Sequence, residues 1–315
     1  MKSILLSAKR NLQEARFTYV LATFCLFIFI AIHLFAKNGF ISDALLTQFG
    51  APLAIEIYDH QFWGILTNSF VHYEKGHLIL NLIALLLLGS YVERRIGLKY
   101  FVLFGLYTST VSSAIQLAFS DDAGFGMSGV NYGFFGFVFA KSFLDKRFQL
   151  LTKNIAFAVM FLFIPFCEYM NIYHHWNVGT FALFGGFFTG VLIGLFDSPA
   201  YKISYSGLSL FFIFSIVSLF YNPFSSEWYC AKGIQAHEAH HLSLAKSYYF
   251  ESLMCNPGSK CANENLTLIR IDELCSIAFK EHNRGHYLEA RKYYEEILRL
   301  DPHNQWALNN LNRLP

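Results

Sequence analysis

Charge is scarce in this 315-residue chain, where Lys, Arg, Asp and Glu together make up 15% of the residues against about 25% in an ordinary soluble domain. With 54% hydrophobic residues, 35 Phe and a mean hydropathy of +0.36, the scarcity excludes a wholly soluble protein. A net charge of +2 implies no nucleic-acid partner. The N-terminal stretch lacks a signal-peptide core, because its apolar run "ILLSA" is too short. Residues 1–17 are therefore expected to lie as a basic amphipathic segment on the inner leaflet. Lys and Arg are missing from Ser120-Asp121-Asp122 and from Asn171–His175, which assigns those segments to the outer side.

What the chain does contain is a series of apolar windows near the ~20 residues that cross a bilayer. They are Thr18–Ala36, His77–Val92, Tyr100–Phe119, Ser128–Leu144, Asn154–Met170, Trp176–Phe196 and Tyr205–Tyr221. The expected fold is all-α: a seven-span bundle over residues 18–222, in contact with the lipid bilayer, and a smaller helical unit over 223–315. Lys2, Lys9, Arg10 and Arg16, then Arg94, Arg95 and Lys99, then Lys141, Lys146, Arg147 and Lys153 mark one side as cytoplasmic. Seven spans leave everything after Tyr221 outside.

Strongly polar groups in hydrocarbon are costly and mark function. His77 and Asn81 stand four apart, on one helical face. Ser128 opens the fourth window, and His174 and His175 are expected to begin the sixth span. All are expected at one depth near the outer face. A serine hydroxyl becomes a nucleophile when a neutral imidazole takes its proton, and an oxyanion needs donors held ready for it. Ser128 is the expected nucleophile and His175 the general base. The Ser128 backbone N–H, the Asn81 amide and the His77 imidazole are the expected oxyanion donors. Glu168 is the only acidic residue near His175, so a dyad is expected, with the ring of Tyr132 stacking on the imidazole.

These residues resemble the rhomboid family of intramembrane serine proteases, from about Trp63 to Gly190. "GMSGVNYGFFG" is similar to the family's GxSG pattern, with a tyrosine four residues after the serine. "HLILNLIALLLLGSYVERRIG" resembles the family's second span, and His72 matches a further histidine of its first loop. Trp63 resembles the first member of a Trp-Arg pair, with Gly64 in place of the arginine. Glu93 and Arg95 resemble a structural cytoplasmic pair. The sixth span departs from the family's glycines at +3 and +7 after the histidine: His175 is followed by Val178, Ala182, Gly186 and Gly190. This spacing favours His175 over His174, and the two larger side chains weaken the expected contact between spans four and six.

No cofactor and no metal are expected. His72, His77 and His175 belong to no H-E-x-x-H pairing, and the outer-side cysteines lie elsewhere. His33, alone in the first span, is assigned no role. A transporter would show mid-membrane polar groups and paired broken helices, and neither is found.

The tail repeats itself at an offset of 45, matching Ala245 with Ala290, Tyr248-Tyr249 with Tyr293-Tyr294, Pro257 with Pro302 and Ala262 with Ala307. The pattern resembles the tetratricopeptide repeat, which implies a peptide or protein partner. The offset exceeds 34, so an added turn or helix around Thr267–Asp272 is expected between the copies. Four tail cysteines suggest disulfides Cys255–Cys261 and Cys230–Cys275. The resemblance implies an endopeptidase whose substrates are transmembrane proteins cut near their outer ends. The alternative is an inactive rhomboid-like scaffold working through its repeats.

Overall fold

The computed structural model describes residues 14–152, 155–174 and 178–315. These residues are helical, with one isolated bridge between Lys37 and Phe40 as their only β pairing. The chain divides into two compact units, Met1–Ser225 and Ser226–Pro315.

The first unit is a helix bundle. Its long elements are α1 (Arg16–Phe35), α2 (Lys75–Ile96), α3 (Leu98–Ser120), α4 (Ser128–Leu144), α5 (Ile155–His174), α6 (Thr180–Gly194) and α7 (Tyr201–Phe220). Four of them, α1, α2, α3 and α7, are long and apolar enough to cross a membrane, and α5 and α6 contain shorter apolar helices. In α1, Thr18, Ala22, Cys25, Ile28 and Ile32 face inward at helical spacing, while Val20, Phe24, Phe27 and Leu34 are exposed. An apolar outer stripe of that kind suits lipid rather than water. α2 is carried to its full length by a π turn at Leu85–Gly89. Its end is tied to α1 by Glu93, whose carboxylate accepts from the Phe17 and Thr18 backbone N–H groups and from the Thr18 hydroxyl. A buried carboxylate at a helix N-terminus meets both the unpaired N–H groups and the positive end of the dipole.

α4 is the central helix. Val130 to Val138 are all buried, and Phe134, Phe135 and Phe137 belong to the core rather than to a lipid face. Against it lies α6, backbone on backbone. A Cβ added at Gly186 would sit 2.0 Å from the Gly129 carbonyl oxygen, one at Gly190 1.9 Å from that of Gly133, and one at Gly136 2.1 Å from that of Phe187. The weak contact expected from Val178 and Ala182 is therefore not what forms. The seam is built lower, by Gly186 on Gly129, Gly190 on Gly133, Gly136 on Phe187 and Gly194 on Phe137 and Ala140, and Val178 precedes α6 altogether.

His174 falls differently from the expectation as well. It closes α5 instead of opening the sixth span, and α6 begins at Thr180. The reason is a set of side-chain clamps. Asn171 donates to the Val178 carbonyl (2.8 Å) and accepts from its N–H (3.0 Å), and Thr180 donates to Glu168 (2.7 Å). Gln116 of α3 accepts from the Ala182 N–H (2.9 Å).

The second unit stacks α8 (Ser226–Glu238), α9 (Leu242–Cys255), α10 (Lys260–Asn283), α11 (Tyr287–Leu300) and α12 (Gln305–Leu311). The 45-residue offset is structural. Ala245 and Ala290, Tyr249 and Tyr294, and Ala262 and Ala307 are fully buried pairs. Ser259 and Asn304 cap equivalent helices, and His240 and Gly285 occupy equivalent left-handed turns at φ +60° and +80°. No turn separates the copies. Thr267–Asp272 lie inside the continuous α10, which ends one copy and begins the next. The expected cysteine pairing is also wrong: Cys230 is bonded to Cys261. α8 packs on α10, whereas Cys255, at the end of α9, is exposed and Cys275 is only partly covered. Since the bridge closes a 31-residue separation, Cys230→Ser is expected to lower the stability of this unit by about 3 kcal/mol. Thermal unfolding with and without reductant would show it, and Cys275→Ser should leave the midpoint unchanged.

Candidate active site

Ser128 is the first residue of α4, half-buried. Its hydroxyl makes no hydrogen bond among the described residues, and as a first-turn residue its backbone N–H has no partner within the helix. The segment before it, Asp121–Met127, is held from the long first loop. Asn68 donates to the Ala123 and Gly124 carbonyls at 2.8 and 3.0 Å. Its backbone carbonyl accepts from the Gly126 N–H at 2.9 Å.

Gly126 has φ +92°. A Cβ there would fall 2.6 Å from His77 Cε1, 2.9 Å from His77 Nε2 and 3.1 Å from His72 Nε2. Both the backbone angle and the space demand glycine. Two imidazoles, 5.1 Å apart between ring centroids, thus press on the residue two before Ser128. His72 is fully buried, and its Nε2 accepts from the Met127 N–H at 3.3 Å. Nε2 is therefore the bare nitrogen, and the proton sits on Nδ1, which faces the Phe70 carbonyl at 3.4 Å.

Burial, with the neighbouring His77 adding to it, pushes the His72 pKa down to about 3 from the usual 6.5. An unfolded chain takes up this proton below 6.5 while the folded one does not. The associated stability is complete above pH 6.5 and is lost as pH falls towards 3. His72→Gln is expected to flatten the slope of the melting temperature over that range, measured against wild type in detergent.

Asn81, one turn after His77, is buried. Its Nδ2 donates to the His77 carbonyl (3.1 Å), and its Oδ1 accepts from Asn131 Nδ2 (3.0 Å). Ser128, His77, Asn81 and His72 are thus gathered where α2, α4 and the first loop meet. The Tyr132 hydroxyl donates to the Met160 carbonyl of α5 (2.9 Å), which fixes its ring on the α5 side of α4. His175 lies outside the described residues. Asn68, Asn131 and the Asn171 clamp are residues that sequence reasoning passed over. The amide partners of Asn68 and Asn131 are distant in the chain, and Asn171 reaches across seven residues to the Val178 backbone; no spacing rule exposes any of them.

Gly64, which stands where the resemblance expects arginine, has a local cause. A Cβ there would meet Pro52 Cγ at 2.3 Å. An H-E-x-x-H stretch does occur, as His237-Glu238-Ala239-His240-His241 in the tail. α8 ends inside it and His240 is left-handed, so its histidines do not share a helical face as zinc would need. Among the described residues no three His, Cys, Asp or Glu groups gather as a metal site.

A central glycine-packed helix that starts at a serine, beside a histidine and an asparagine from a second helix, defines a polytopic helical membrane protein with a polar site at one end. Residues 59–200, somewhat under half of the chain, match the family described as Rhomboid domain, and this match together with two relatives supports a rhomboid family protein. It is 27% identical over 192 residues to "Rhomboid protease GlpG" of Haemophilus influenzae, covering 61% of this chain and 96% of that protein. It is also 27% identical over 188 residues to "Rhomboid protease GluP" of Bacillus subtilis, covering 59% of this chain and 36% of that protein. At the level of the family these matches support an intramembrane protease function, and the long apolar helices an integral membrane protein. Neither alignment is long enough to include the whole chain.

Proposed function

We propose that this protein is an intramembrane serine endopeptidase that cuts transmembrane substrates near the outer membrane face. Ser128 attacks the scissile carbonyl, and His175 accepts its proton and returns it to the leaving amine. The oxyanion is met by the Ser128 N–H, the Asn81 amide and the His77 ring. Tyr132 supports the base, and Glu168, already bonded to Thr180, leaves the pair a dyad. The observation that carries the reading is the lodging of Gly126 against His77 and His72, which sets the residue two before Ser128 beside two imidazoles from outside α4.

The N-terminus is cytoplasmic and the repeat unit extracytoplasmic, a placement supported by the Lys and Arg distribution and by the Cys230–Cys261 bridge. There the repeats recruit substrate or a partner through their stacked helices.

Purified protein is expected to cleave a model transmembrane substrate, and a fluorophosphonate probe to label Ser128. Labelling should vanish with His175→Ala. Loss with His174→Ala instead would move the base by one residue, and absence of both cleavage and labelling would leave the inactive scaffold as the reading. A membrane-impermeant thiol reagent is expected to reach Cys255 from outside intact cells, and protection there would reverse the orientation.

A further inference from the structure

We propose that Asn131 is a positioning residue, which locks the Asn81 carboxamide with an N–H presented to the oxyanion; this rests on the protease reading above.

The two amides are 1% and 5% exposed, so their contacts are not exchanged with bulk water. Their orientations follow from groups that can only accept. The Asn81 backbone carbonyl lies 3.1 Å from the Asn131 amide, so the facing atom of Asn131 is its nitrogen. That nitrogen is 3.0 Å from the Asn81 side chain, which must therefore present Oδ1. At its other end Asn81 Nδ2 lies 3.1 Å from the His77 carbonyl, which also only accepts. Three contacts agree on one arrangement. Rotating the Asn81 amide by half a turn would set two NH2 groups together and an oxygen against the His77 carbonyl. One hydrogen of Asn81 Nδ2 serves the His77 carbonyl, and the second is uncommitted among the described residues.

A second observation indicates that this arrangement is more than packing. Asn131 Oδ1 is buried with no partner among the described residues, an unfavourable state for an acceptor. An apolar side chain would fill the position without it, as Val130, Phe134 and Phe135 do around it. Being three residues after Ser128, Asn131 lies one turn behind the nucleophile, where it acts on the oxyanion donor without touching substrate.

In full-length protein, Asn131→Val is expected to lower kcat by about 10- to 100-fold, and no further than Asn81→Ala does, with KM unchanged. The double variant should be no slower than Asn81→Ala alone, because the second residue acts through the first. Wild-type rates in Asn131→Val, or losses that multiply in the double variant, would overturn the assignment while leaving the protease reading intact. An inactive wild type would instead remove the protease reading and this role with it. A crystal structure of Asn131→Val with Asn81 rotated away from the His77 carbonyl would support the lock, and an unmoved Asn81 would refute it. Should that variant not fold, Asn131→Asp keeps the shape. Its carboxylate cannot donate to Asn81, so the rate relative to wild type at the same pH should recover as pH falls and the acid regains an O–H. A rate equal to wild type throughout would refute the role.

Discussion

Ser128→Ala is expected to reduce cleavage of a transmembrane substrate by on the order of 10⁴-fold or more. The substitution removes one oxygen and leaves a side chain of nearly the same size at the start of α4. Ser128 is half-buried, and its hydroxyl has no partner among the described residues, so the melting temperature should stay close to wild type. That separation of activity from folding makes the experiment decisive. His77→Ala or Asn81→Ala removes one donor and should cost ~100–1000-fold, leaving measurable turnover. His175→Ala should match Ser128→Ala, and the pair combined should be no worse than either, since nucleophile and base act as one unit. Cleavage that survives Ser128→Ala would show that the activity resides elsewhere.

The second large effect belongs to the α4–α6 seam. Gly190→Val places a Cβ 1.9 Å from the Gly133 oxygen and 2.8 Å from the Phe137 nitrogen. Both are backbone atoms inside a helix and cannot turn aside as a side chain does. α6 must move away, and every contact along the Gly186–Gly194 face is loosened with it. Inside a membrane, helix association rests on close van der Waals packing. A loss of about 3 kcal/mol, the upper part of the range for overpacking, is expected, together with loss of activity as Ser128 and the segment after α5 part. Unfolding in mixed detergent measures the first and the cleavage assay the second. Gly105→Ala is the control. Its Cβ meets nothing within 4 Å, and in a helix alanine is favoured over glycine, so stability should hold or rise.

The features legible in the chain were those with a short repeat or a compositional signature. The apolar windows became α1 to α7 with ends shifted by a few residues. His77 and Asn81, four apart, share a helix, and Ser128 begins one. The paired tyrosines and alanines of the tail mark equivalent buried positions. The errors lie where distant segments decide. The histidine pair was read as the start of a helix, yet Asn171, Glu168 and Gln116 set that start at Thr180. The first disulfide was expected between Cys255 and Cys261, close neighbours in the sequence, yet the stacking of α8 on α10 selects Cys230 and Cys261. Of the stripe counted from the histidine, Gly186 and Gly190 do meet α4, whereas Val178 precedes α6, because such counting ignores where the partner backbone comes closest.

Solvent, the positions of the apolar helices and the kinds of chemical group at one end of the bundle were determined by the sequence alone, because hydropathy and helical periodicity act over a few neighbouring residues. Tertiary structure decided which glycines touch, which cysteines bond, and which amides hold Asn81 and the segment before Ser128. Those outcomes depend on distances between residues far apart in the chain, and only the packed backbone specifies them.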